Sequence, residues 1–168
     1  MKECFDNQGW AQFVTFSCFK RRRLLNQDRS KQVVLGVLTS EMTKRQVACL
    51  GFVVMPNHMH AILQFKNGGQ LPLLMKQWKQ RSSVGIKRLF ANGLRAYADA
   101  INPSEPVWQA GYFALAIHHP DKAKEKVIYL HNNPVRAGIA PSPTAWRYSS
   151  APWYENGRSV GVPISWPG

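Results

Sequence analysis

Apolar and polar positions follow two different periods along this chain, and the order of those periods predicts the fold. Ala11 to Phe19, AQFVTFSCF, alternates as a strand does and closes on the basic run Lys20-Arg21-Arg22-Arg23. From Asp28, an N-capping residue type, Val33, Val34, Val37, Leu38 and Met42 recur at helical spacing up to about Arg45. Two apolar runs follow, Cys49 to Met55 and His58 to Phe65, divided by Pro56-Asn57, a pair that marks a tight connection between strands. Lys66-Asn67-Gly68-Gly69 turns the chain into a second helix with Pro72 in its first turn and an apolar stripe of Leu71, Leu74, Met75, Trp78, Ile86 and Leu89. Asn92 to Pro106 reads as a connection, and Val107 to Ile117, VWQAGYFALAI, as another strand or extended segment. Pro120-Asp121 opens a third helix that reaches at least His131 before Asn133-Pro134. Trp146, Tyr148, Trp153 and Tyr154 populate a Pro-rich tail expected to dock on the body.

The predicted order is strand, helix, strand, strand, helix, strand, then an added helix and tail. This is the βαββαβ order of the ferredoxin-like fold, an α+β architecture whose antiparallel sheet carries its helices on one face. One domain is expected over residues 1–168, with a core at about 11–134 and an extension at about 135–168. Alternation in the third strand puts His58, His60, Ile62 and Gln64 on one side and Met59, Ala61, Leu63 and Phe65 on the other. The two imidazoles then stand about 7 Å apart along the strand, on the face left for a ligand.

Charge sharpens the picture. With 45 % apolar and 18 % charged residues the chain is globular, yet 22 Lys and Arg against nine Asp and Glu give it +13. Such a surplus points to a polyanionic partner, nucleic acid ahead of an anionic membrane. Val47 to Phe65 has no charged residue, but Pro56, Asn57 and two histidines in its middle argue against a membrane span. Cys4, Cys18 and Cys49 form no C-x-x-C and are read as reduced, buried thiols of a cytoplasmic protein. No basic-then-apolar signal pattern opens the sequence, so export is not expected.

Two histidines at i and i+2 on one strand face can share a divalent metal, although a pair of surface histidines fits the same pattern. The nine acids are scattered and none lies in the histidine hairpin, which argues against a carboxylate-caged pair of metals. What remains for phosphodiester chemistry is one metal polarising a phosphate, with a side chain as nucleophile. In VIYLHNNPVRAG, Tyr129 and Asn133 are four apart and share a helix face, with Lys122 and Lys126 on roughly the same face. Tyr129 is a candidate nucleophile, and Asn133 a candidate metal ligand through its amide oxygen. Each has a structural alternative: Tyr129 as a core tyrosine, Asn133 as an N-cap before Pro134. A free phenol ionises near pH 10, so metal or cationic neighbours must assist it.

PNHMH on a strand, then YLHNNPVRAG some seventy residues later, then WRYSS, resembles the REP-associated tyrosine transposases, a bacterial branch of the single-tyrosine HUH (His, hydrophobic, His) endonucleases. The likeness runs from about Phe13 to Trp153. It implies a Mg²⁺- or Mn²⁺-dependent attack on single-stranded DNA, with His58, His60 and Asn133 as metal ligands and Tyr129 forming a 5′-phosphotyrosyl link that releases a 3′-OH. It also implies hairpin-forming repeated palindromes as substrate and a monomeric protein. Arg21, Arg22, Arg23, Lys76, Lys79, Lys122, Lys126, Arg136 and Trp108 are the candidate DNA contacts, and Tyr112, Trp146 and Tyr148 join Trp108 as candidates for stacking unpaired bases. The chain departs from the family's pattern at Ala114-Leu115, where many relatives carry an acid followed by histidine. Two other functions remain open at this level: a non-catalytic single-strand-binding module of the same fold, and a zinc-stabilised structural protein, which lacks suitably spaced thiolates.

Overall fold

The computed structural model describes residues 10–92 and 102–167. Cys4 and part of the Asn92–Pro106 connection lie outside the described residues. In chain order the elements are β1 (Ala11–Ser17), α1 (Asp28–Arg45), β2 (Ala48–Val54), β3 (His58–Gln64), α2 (Leu71–Asn92), β4 (Phe113–Ile117), α3 (Pro120–Arg136) and the short α4 (Ala151–Asn156). The four strands form one antiparallel sheet in the order β2-β3-β1-β4. That is the ferredoxin-like α+β arrangement the residue pattern predicts.

Strand alternation divides the interior in two. Val14, Phe16, Phe52, Met59, Ala61 and Leu63 face α1 and α2, joining Val34, Leu38, Leu74 and Trp78 in the larger cluster. Phe13, Leu50, Val53 and Ile62 face the other way, against Val127 and Leu130 of α3. The crossover helices thus share one face as expected, and α3 roofs part of the opposite one. Two glycines allow these close approaches. A Cβ at Gly85 would sit 2.7 Å from Val33 at the α1/α2 contact, and one at Gly51 would sit 3.3 Å from Val127 and 3.2 Å from Ser150 Oγ beneath α3.

Boundaries differ from expectation where backbone geometry overrides pattern. β1 ends at Ser17, and Phe19–Arg21 is a 3₁₀ turn in which Lys20 and Arg21 adopt positive φ. The N-cap of α1 is Gln27, and Asp28 is its first residue, paired with Lys31 at 3.5 Å. In α2 Phe90, not Leu89, completes the buried stripe. Only the last five residues of Val107–Ile117 form a strand. The tail docks as expected: Trp146 Nε1 donates to the Val54 carbonyl, and Lys31 Nζ lies 4.9 Å from the Tyr148 ring and 5.7 Å from that of Trp146. Among the described residues no helix is long and apolar enough to cross a membrane; the charge-free stretch is the β2–β3 hairpin.

Trp78 is fully buried against Phe16 and donates its indole N–H to the Val34 carbonyl across the helix pair. Trp78→Ala removes that packing and leaves the carbonyl without its donor, so it should cost about 3–5 kcal/mol. Thermal unfolding monitored by circular dichroism should show a midpoint lower by roughly 10 °C. A shift of a degree or two would mean that the two helices do not depend on this contact.

Candidate functional site

The imidazoles of β3 lie on the α3 side of the sheet, their centroids 4.9 Å apart. His60 is buried between strand neighbours, stacked on Phe13 with centroids 5.4 Å apart. Each ring is held at Nδ1. His58 Nδ1 donates to Asn57 Oδ1 at 2.7 Å, and His60 Nδ1 donates to Thr15 Oγ1 at 2.6 Å. Asn133 Nδ2 reaches His60 Nε2 at 2.9 Å, which makes that nitrogen an acceptor. With the Asn57 and Asn133 amides in these orientations, both rings carry their proton on Nδ1 and a lone pair on Nε2, the tautomer that leaves Nε2 for a metal. Burial, and then the Arg21 charge, pushes His58 down to about 4. Burial, then His58, Arg136 and Lys126, pushes His60 down to about 3. Neutral imidazoles at ordinary pH are the consequence.

Helix α3 brings the rest. It continues through Pro134 to Arg136, so Asn133 lies inside a helix and does not cap a new one. Proline at 134 has no N–H, which removes one intrahelical bond without ending the helix. Tyr129, one turn earlier, is 43 % exposed and not a core residue. Its ring is 6.2 Å from both His60 and Phe13. Two cations flank the phenol ring: Arg136 Cζ at 4.3 Å, with its Nη2 on the Tyr129 carbonyl, and Lys126 Nζ at 5.3 Å. Lys122, by contrast, is exposed and paired with Glu125 at 2.9 Å.

Other candidates are placed differently. Trp108 is buried, its ring edge-on to Phe16 and its N–H on Ser82 Oγ, so it belongs to the core and offers no face to a base. Tyr148 is also buried, which removes it as a stacking residue. Lys79 is spent on the Gln109 and Gly111 carbonyls before β4, and Lys76 is exposed on α2, across the sheet from the imidazoles. These placements share one cause: spacing along a helix or loop does not say which side of the sheet that element packs on. In the basic run Glu105 binds both Lys20 at 3.2 Å and Arg22 at 2.6 Å, while Arg21 and Arg23 remain exposed.

Three residues to which the sequence pattern gave no part in the chemistry support the site. Thr15 and Asn57 orient the two rings. Thr15 was foreseeable only from the β1–β3 register, which sets it opposite His60. The third is His131, buried on the far side of α3 with Nε2 2.6 Å from Ser150 Oγ; Ser150 Oγ in turn accepts from the Phe52 backbone N–H. This pair ties the rotation of α3 to β2. Burial pushes His131 down to about 4. In the unfolded chain a histidine protonates near 6.5, so between these values the unfolded state binds more protons and stability falls as pH drops from 6.5 to 4. The loss should amount to about 2–3 kcal/mol. Urea unfolding at pH 7 and pH 4.5 should show His131→Gln losing clearly less stability than the parent; equal losses would contradict the assignment.

Among the described residues no three His, Cys, Asp or Glu side chains cluster. Among those residues the site consists of paired imidazoles and an amide. A split βαββαβ sheet bearing His-x-His, faced by a tyrosine on an added helix, defines an α+β protein of ferredoxin-like fold with a histidine-tyrosine site on one face of its sheet. Residues 10–133 match the family described as "Transposase IS200 like", and the chain belongs to that family. It is thus one of a family of DNA-processing enzymes that generally use a divalent metal. An uncharacterised protein of Haemophilus influenzae is 28 % identical over 142 residues, 73 % of this chain and 79 % of that one. The structure of a REP-associated tyrosine transposase bound to a REP hairpin shares the fold with a TM-score of 0.71 at 20 % identity, covering 100 % of this chain and 91 % of that one. A candidate transposase from Deinococcus radiodurans aligns with a TM-score of 0.51 at 17 % identity, over 74 % of this chain and 90 % of that one.

Proposed function

We propose that this chain is a REP-associated tyrosine transposase that cuts and rejoins single-stranded, hairpin-forming DNA through a phosphotyrosyl intermediate on Tyr129. The observation that carries the reading is the convergence of side chains some seventy residues apart: Asn133 Nδ2 lies 2.9 Å from His60 Nε2, with the Tyr129 ring 6.2 Å from the same imidazole. The fold shared with a transposase held on a REP hairpin supports a hairpin substrate.

In this reading His58 and His60 through Nε2, and Asn133 through its amide oxygen, would hold one Mg²⁺ or Mn²⁺. The donor chemistry fits: both Nε2 lone pairs are free of protons, and a half-turn of the Asn133 amide, which costs no space, exchanges its nitrogen for its oxygen. Imidazole favours Mn²⁺ over Mg²⁺ as partner. The ion, when bound, supplies Lewis-acid polarisation of the scissile phosphate. The phenolic oxygen of Tyr129 attacks phosphorus as its proton passes to solvent; the bond to the tyrosine forms as the bond to the 3′ oxygen breaks, and that oxygen takes a proton from solvent and leaves as a 3′-OH. Lys126 and Arg136 flank the ring and offset the phosphate charge. No water is consumed, so a 3′-OH strand reverses the reaction and joins what was cut.

The test is direct. A hairpin oligonucleotide with single-stranded flanks is incubated with the protein and Mn²⁺ or Mg²⁺, denatured, and resolved by size. A protein-DNA species that needs the metal and disappears when excess 3′-OH strand is added is the expected result. Binding without any covalent species under either metal overturns the reading and leaves a single-strand-binding module.

A further inference from the structure

The face that carries the imidazoles is unevenly covered. Across β2, β3, β1 and β4 the register runs Val53, His60, Thr15, Phe113 in one row and Gly51, Ile62, Phe13, Leu115 in the next. Val53 and His60 are buried, as are Gly51, Ile62 and Phe13, yet Phe113 is 52 % exposed and Leu115 41 %. These two stand at i and i+2 on the terminal strand of the sheet and project to the same side as His60 and Phe13. Two strand spacings separate Phe113 from His60, about 10 Å. Lys126 Nζ lies 5.4 Å from the Phe13 ring and 5.3 Å from the Tyr129 ring, which sets a cation over Phe13, the register neighbour of Leu115.

An open aromatic face beside a cation is what an unpaired nucleobase requires: the base stacks on the ring while the adjoining phosphate meets the charge. A paired duplex does not suit it, because each base face is already covered by the next base pair. We propose that Phe113, flanked by Leu115, is a stacking platform for one unpaired base of the DNA strand, beside the site formed by His60 and Tyr129. This rests on the transposase reading above and adds to it the residue that receives a single-stranded base. The sequence nominated Trp108, Tyr112, Trp146 and Tyr148 for that task; the fold buries Trp108 and Tyr148 and half-buries the other two.

Affinity for a hairpin with single-stranded flanks, read by fluorescence anisotropy, tests the platform without chemistry. Each unpaired base is replaced in turn by an abasic site. Phe113→Ala should bind about tenfold or more weakly, and Phe113→Tyr should restore most of the loss. At one flank position the abasic oligonucleotide should weaken the parent to a similar extent and Phe113→Ala no further, the non-additivity that marks a direct contact. Leu115→Asn provides a second variant, and circular dichroism establishes that each is folded. Unchanged affinity in folded Phe113→Ala, or strictly additive losses at every position, overturns the platform. So does a change in sedimentation mass with DNA binding intact, which would make the strip a contact between copies of this chain. The covalent assay is scored separately: an adduct without the coupling sinks the platform alone, and the coupling without an adduct sinks the transferase reading alone.

Discussion

Tyr129→Phe is expected to bind hairpin DNA as the parent does and to form no covalent adduct at all. The substitution removes one oxygen from a half-exposed ring. The ring keeps its place between Arg136 at 4.3 Å and Lys126 at 5.3 Å, because both contacts are to the π face. Affinity should therefore stay within about twofold, the usual range for a surface change. Chemistry has no such reserve. Tyr154 is no substitute, since its hydroxyl donates to the Leu50 carbonyl and burial, with a lesser push from Cys49, raises it to about 12. Tyr148 is buried near Lys31, on the α1 side of the molecule. Denaturing electrophoresis beside anisotropy separates the two effects, and an adduct that survives the change would move the nucleophile elsewhere.

His60→Ala should slow strand cleavage by about a hundredfold or more at fixed metal, from the loss of a few kcal/mol of phosphate polarisation. Its ring meets Thr15, Asn133, Phe13 and Tyr129 at once, so no neighbour can take its place. The graded comparison is Thr15→Val, which leaves the imidazole present but frees its Nδ1 proton from a fixed acceptor. Loss of such an orienting bond typically costs ten- to a hundredfold in metal affinity. Titrating Mn²⁺ against cleavage rate should therefore show Thr15→Val recovering at high metal and His60→Ala failing to. If both variants respond alike, Thr15 serves the fold and not the ring.

Much of the architecture was legible because it depends on local periodicity. Alternation in β1 and β3, the helical stripe of α2 and the turn at Pro56-Asn57 each declare themselves within a few residues, and together they allow few topologies. The same alternation assigned His58 and His60 to one face before any tertiary contact was considered. Element ends were less legible. Pro134 suggested a helix end, yet a proline costs one backbone bond, and the packing of Val127 and Leu130 on Leu50, Val53 and Ile62 carries α3 past it.

The linear order of residues was enough to determine the sheet, its two faces, the basic surplus and the pair i, i+4 that unites Tyr129 with Asn133 on one side of a helix. Those properties follow from chain geometry that every strand and helix shares. Only the tertiary structure decided where α3 rests, which of the cations meet the site, and that Trp108 is core while Phe113 is open. These are questions of which surfaces meet, and surfaces meet according to the shape of the whole molecule: at the sheet's end Ile117 of β4 is covered by α3, while Phe113 and Leu115 escape the roof laid over their neighbours.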